Sequence, residues 1–115
     1  MSKIRAAITA VEGYVPDYIL TNEELSRMMD TSDEWIMTRI GIKERRMLKE
    51  EGKATSDMAA IAVKNLLENN NIKPEEIDGV ICCTVTPDMH FPATASIVAD
   101  KCGIHGGMSM DMNVG

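Results

Sequence analysis

The chain has few aromatic residues: one Trp, two Tyr and one Phe in 115. Ten Met and a 44% hydrophobic content take their place, so the expected core is aliphatic and Met-rich. No apolar run approaches the ~20 residues that a membrane helix needs. The start, Met1-Ser2-Lys3-Ile4-Arg5, lacks the apolar stretch of a secretory signal. Three Cys, two His and no C-x-x-C give little support for a structural zinc site. That cysteine usage reads as a reducing, cytoplasmic compartment. A formal charge of −6 argues against a basic nucleic-acid surface. Neither G-x-G-x-x-G nor G-x-x-x-x-G-K-[ST] occurs, which argues against a common nucleotide-binding domain.

What is present is one domain's length, with enough residues for a core that needs no staple. Its charge is uneven. Residues 43–53 (KERRMLKEEGK) hold five basic and three acidic groups, so this stretch is +2 and the remainder −8. It reads either as an anion contact or as a solvated turn or hairpin.

The pattern reads as follows. Residues 4–12 form a short apolar segment expected to be a buried strand. Thr21 and Glu24 have capping-box spacing and predict a helix to about Met28. Ser32, followed by Asp33 and Glu34, opens a second helix that Gly41 closes. The clearest helix covers about 56–69, with Met58, Ala59, Ala62 and Leu66 on an apolar face that Ile61, Val63 and Leu67 widen. Pro74-Glu75-Glu76 gives a helical turn. Residues 79–85 read as a parallel strand covered on both faces, 86–92 as a loop at its C-terminal end, 93–102 as a helix of small residues and 107–112 as a further strand. Strands alternating with helices predict an α/β fold with mainly parallel pairing. The last strand has nothing after it to cover it, so the chain is expected to belong to a longer protein.

At residues 30–46, DTSDEWIMTRIGIKERR, the sequence resembles the β-ketoacyl-acyl carrier protein synthase III family of condensing enzymes. Collinear matches are Thr21-Asn22, Ser56-Asp57-Met58, Thr84-Val85-Thr86-Pro87-Asp88 and Phe91-Pro92-Ala93-Thr94-Ala95. The resemblance implies a thiolase-like fold, of which residues 1–115 are a partial N-terminal domain, with the C-terminal half absent. It implies condensation of acetyl-CoA, or another acyl-CoA primer, with malonyl-acyl carrier protein to start fatty acid synthesis. No cofactor is implied, since acyl-CoA is a substrate. The implied partners are malonyl-acyl carrier protein and a second copy in a homodimer, with neither nucleic acid nor membrane.

The family's nucleophilic Cys follows a Phe-Asp-x-x-Ala-Ala strand. Met110-Asp111-Met112-Asn113-Val114-Gly115 occupies that stretch, and its Met, Val and Gly depart from the pattern. The nucleophile would be the next residue, and the family's catalytic His and Asn would lie in the C-terminal half. No catalytic residue is therefore assigned here, and residues 1–115 alone are expected to be inactive. A non-catalytic CoA-binding or dimerisation module is the alternative.

The resemblance places Trp35 at a CoA channel, stacking on adenine, with Arg39 pairing to phosphate and Thr31 beside them. A core Trp, a surface ion pair of Arg39 with Glu34 or Glu44, and a helix-start hydroxyl are the plainer readings. Phe91 is implied to wall the acyl pocket across the dimer; a simple core anchor is its alternative. Arg45 and Arg46 either extend positive potential towards the phosphates or carrier protein, or sit in a solvated turn. Cys82 and Cys83 read as small core residues, Cys102 as a helix end, His90 as a loop residue and Asp111 as structural.

Overall fold

The computed structural model describes residues 3–113. Val15–Lys53 forms one compact unit, and the described residues on either side of it form another. The match at Val114-Gly115 and the start at Met1-Ser2 lie outside the described residues.

In Val15–Lys53, β1 (Tyr18–Thr21) pairs antiparallel with β2 (Glu44–Met47), Tyr18 opposite Met47 and Thr21 opposite Glu44. Two helices connect them, α1 (Asn22–Ser26) and α2 (Asp33–Ile40). Thr21 caps α1 as expected, its hydroxyl accepting from the Glu24 N–H at 3.2 Å. The helix stops two residues short of Met28. The reciprocal carboxylate bond of a capping box is absent, because Glu24 instead accepts from the Tyr18 hydroxyl. Both expected ends of α2 are present: Ser32 accepts from the Trp35 N–H at 3.1 Å, and Gly41 takes a left-handed φ of 68°. The basic stretch is a strand in its first half, not simply a turn.

The other unit contains α3 (Thr55–Asn69), a 3-10 turn (Pro74–Glu76), β3 (Gly79–Cys83), α4 (Thr94–Lys101) and β4 (Met108–Met112). β3 and β4 pair in parallel, Gly79 opposite Met108 and Cys83 opposite Met112, with α4 as the crossover. Gly107 begins the return at a φ of 86°, and a Cβ there would lie 2.0 Å from the Asp78 carbonyl oxygen. Only glycine fits that approach. Ala60, Val98, Ala99, Cys102 and Ile104 form the core, with Ala59, Val63, Ile77 and Val80 packed on it. At one edge the Lys101 ammonium donates to Ser56 Oγ (2.7 Å) and Asp57 Oδ1 (2.9 Å), fastening α4 to the start of α3.

Four expectations are corrected. The core is aliphatic but not Met-rich. Among the described residues no methionine is buried, and Met108, Met110 and Met112 lie on an open face of β4. Residues 4–12 are not a buried strand: Ile4, Ile8 and Val11 are largely exposed, and no described strand pairs with them. An unpaired strand has no ladder of hydrogen bonds to hold it extended. β3 is covered on one face only. Val80 and Cys82 turn towards the helices, while Ile81 is 53% exposed beside its register partner Met110. Cys83, at the end of β3, is exposed rather than a core residue, and Val85 lies beyond the strand. Among the described residues no helix is long and apolar enough to cross a membrane.

Candidate functional site

The first candidate group is on α2. An eight-residue helix presents residues i and i+4 on one side, so Trp35 and Arg39 meet. The Arg39 guanidinium carbon lies 5.6 Å from the Trp35 ring centroid, a cation–π distance. Trp35 is 56% exposed and is not a core residue. Among the described residues no carboxylate pairs with Arg39. Two surface recesses flank the indole. One, of about 360 Å³, is lined by Asp30, Thr31, Ser32 and Trp35. The other, of about 300 Å³, is lined by Ser32, Glu34, Trp35, Thr38 and Arg39. The structure thus brings Trp35 and Arg39 together, while Thr31 shares a separate recess with Trp35. An exposed aromatic face beside a free guanidinium can stack a planar ring and pair with an anion.

Beneath α2 is Asn22, which the sequence reading matched to the family without giving it a role. Asn22 is 2% exposed and spends its amide on three partners. Its Nδ2 donates to Asp33 Oδ1 (2.8 Å) and to the Ile42 carbonyl (2.9 Å). Its Oδ1 accepts from Arg45 Nη2 at 2.7 Å. The amide therefore fixes both ends of α2, at Asp33 and just past Gly41. Arg45 also donates to the Leu20 carbonyl at 3.4 Å, and Arg46 to the carbonyls of Pro16 and Asp17 at 3.3 and 3.1 Å. Both arginines bind backbone within this unit.

The second candidate is the loop after β3. Phe91 is 88% exposed and anchors no core in this chain. Its neighbour His90 is also exposed. Thr55 Oγ1 donates to the Thr86 carbonyl at 2.7 Å. Asp88 Oδ1 accepts from the Ser56 N–H at 2.9 Å, and the Asp88 N–H donates to Thr94 Oγ1 at 3.2 Å. Asp88 thereby caps α3, whose own N-cap residue, Ala54, has no polar side chain. Asp111 on β4 does the same for α4, its Oδ2 and Oδ1 each accepting at 2.7 Å from the N–H groups of Thr94 and Ala95. Burial pushes the Asp111 carboxyl up, but these backbone bonds more than offset it and hold it below its usual range. The structural reading of Asp111 stands on that geometry.

Two of the three thiols, Cys82 and Cys102, sit where burial disfavours the thiolate. Burial pushes Cys82 up, helped by the negative charge of Asp111. Burial also pushes Cys102 up against the opposing charge of Lys64. Cys102 caps the C-terminal end of α4 and points its Sγ at the Ala60 carbonyl, 3.6 Å away. Among the described residues no cluster of three His, Cys, Asp or Glu side chains is arranged to hold a metal.

No family model matches the chain. Individual proteins do. The chain is 60% identical over 112 residues to a β-ketoacyl-acyl carrier protein synthase III of Phocaeicola vulgatus, covering 97% of this chain and 34% of that protein. The solved 3-oxoacyl-acyl carrier protein synthase III of Aquifex aeolicus is 42% identical, with a TM-score of 0.80 over 90% of this chain and 34% of its own. The Thermus thermophilus synthase III is 43% identical, with a TM-score of 0.82 over 91% of this chain and 32% of its own. The chain spans about one third of the length of each. Over that third, the chain is similar in sequence to proteins named β-ketoacyl-acyl carrier protein synthase III and shares their thiolase-like α/β fold.

Proposed function

We propose that this chain is the N-terminal part of a cytoplasmic, homodimeric acyltransferase. It condenses an acyl-CoA primer, such as acetyl-CoA, with malonyl-acyl carrier protein to begin fatty acid synthesis. Trp35 stacks the adenine of CoA, Arg39 pairs with its phosphate and Thr31 lies beside them. Phe91 walls the acyl pocket across the dimer. The observation that carries the reading is the exposed indole of Trp35, flanked by two recesses and carrying Arg39 over its ring.

The chemistry runs in two steps. A thiolate attacks the thioester carbonyl, the carbon–sulfur bond to CoA breaks, and the CoA thiol leaves. Malonyl-acyl carrier protein then loses CO₂, and its carbanion attacks the acyl-enzyme. That forms acetoacetyl-acyl carrier protein and frees the thiolate. A nucleophile for this work needs a lowered pKa, whereas burial raises Cys82 and Cys102. In this reading the nucleophilic Cys, and the His and Asn that stabilise developing negative charge, come from outside residues 1–115. The contribution of these residues is binding and orientation, so alone they have no activity.

The test is a chimera in which residues 1–115 replace the matching third of the Phocaeicola vulgatus relative. Release of CoA from acetyl-CoA, dependent on malonyl-acyl carrier protein, is the expected result. A folded chimera that binds CoA without turnover would instead favour the non-catalytic module.

A further inference from the structure

Residues 88–94 make a short loop closed at its base. The Asp88 N–H and Thr94 Oγ1 hold each other at 3.2 Å, and Phe91 stands midway between them. Both anchors of this base are deep. Thr94 and Ser56 are fully buried, and Ser56 donates its N–H to the Asp88 carboxylate. Thr94 is held from a second direction by Asp111, which accepts its backbone N–H. The tip carries His90, Phe91 and Pro92, all exposed. A flexible seven-residue loop would let an exposed phenyl ring wander. A bridge hydrogen-bonded at its base to two helix N-termini does not. The buried position of the Thr94 hydroxyl matters here, because water cannot replace it as acceptor for the Asp88 N–H.

We propose that Thr94 and Asp88 are positioning residues that set acyl-chain selectivity by fixing where Phe91 stands. The inference rests on the reading of Phe91 as a wall of the acyl pocket. Neither residue touches substrate; both act through the ring. Thr94→Val keeps the shape of the side chain and removes the acceptor, leaving the Asp88 N–H unpaired. Thr94→Ser keeps the acceptor.

The experiment uses the chimera with the Phocaeicola vulgatus relative and compares kcat/KM for acetyl-CoA and hexanoyl-CoA. Thr94→Val is expected to change the ratio about tenfold, since small misplacements of a substrate-positioning group cost that order of rate or more. Thr94→Ser is expected to restore the ratio. In a Phe91→Ala background, Thr94→Val should no longer change it. If Phe91→Ala alone leaves the ratio unaltered, the reading of Phe91 fails. If Phe91→Ala alters it but Thr94→Val does not, or alters it equally with and without the ring, the positioning role fails while the reading of Phe91 survives. Should Thr94→Val not fold, Asp88→Ala tests the other anchor with the same ratio and the same Phe91→Ala background, because it removes the carboxylate bond to Ser56 and keeps the backbone N–H of residue 88 on Thr94.

Discussion

The two units solve the same problem with different materials. Val15–Lys53 has little apolar interior; only Leu20, Ile36 and Asn22 are buried there. Its organisation comes from one amide, Asn22, and from two arginines spent on backbone carbonyls. The other unit buries Val98, Ala99, Cys102, Ile104 and Ala60 and uses polar groups only to finish helix ends. A small unit with short strands cannot bury enough carbon, so a saturated buried amide takes over. A unit with a fifteen-residue helix can rely on hydrophobic burial. The difference also places function. The polar unit leaves an indole and a guanidinium free on its surface, while the apolar unit holds one phenylalanine out on a clamped loop.

That contrast can be broken from either side. Ile104→Ala should cost about 3 kcal/mol, seen as faster hydrogen exchange in α4 and β4, because it empties a packed aliphatic core. Asn22→Leu should cost about 2 kcal/mol, seen in the amides of α2 and β2, because the Arg45 guanidinium and Ile42 carbonyl lose a buried partner. A smaller and pH-dependent effect belongs to Asp111. Its folded pKa is lowered, so its contribution is complete above the unfolded carboxylate value of about 3.9. The contribution is lost as pH falls through the folded value. Asp111→Asn should therefore flatten the acid limb of stability below about pH 4 and leave its slope near neutrality unchanged. An unchanged acid limb would mean that the carboxylate does not cap α4.

The helix signals that the sequence made legible are local ones. Ser32 and Gly41 bound α2 within a few residues, and the periodicity of α3 needs no distant partner. The caps supplied from afar were not legible. Asp88 serves a helix 32 residues earlier and Asp111 one 16 residues earlier, and neither distance leaves a sequence pattern. The role of Asn22 was hidden for the same reason, because its partners lie 11, 20 and 23 residues on. Composition misplaced the methionines, since counting them does not say which face of β4 they occupy. Residues 4–12 have a strand's composition, but a strand needs a neighbour as well as a sequence. For the candidate site, the resemblance named Thr31, Trp35 and Arg39, and the i, i+4 spacing explains why the last two meet. Nothing local announced that the Phe91 loop is clasped at its base.

The most direct test of the account is the KM for acetyl-CoA of the chimera carrying Trp35→Ala and Arg39→Ala. Losing an aromatic stack and a phosphate partner should raise KM about tenfold or more, with kcat little changed, since base stacking alone is worth about 1–3 kcal/mol. An unchanged KM in a folded, active chimera would contradict the account and remove both residues from the CoA site.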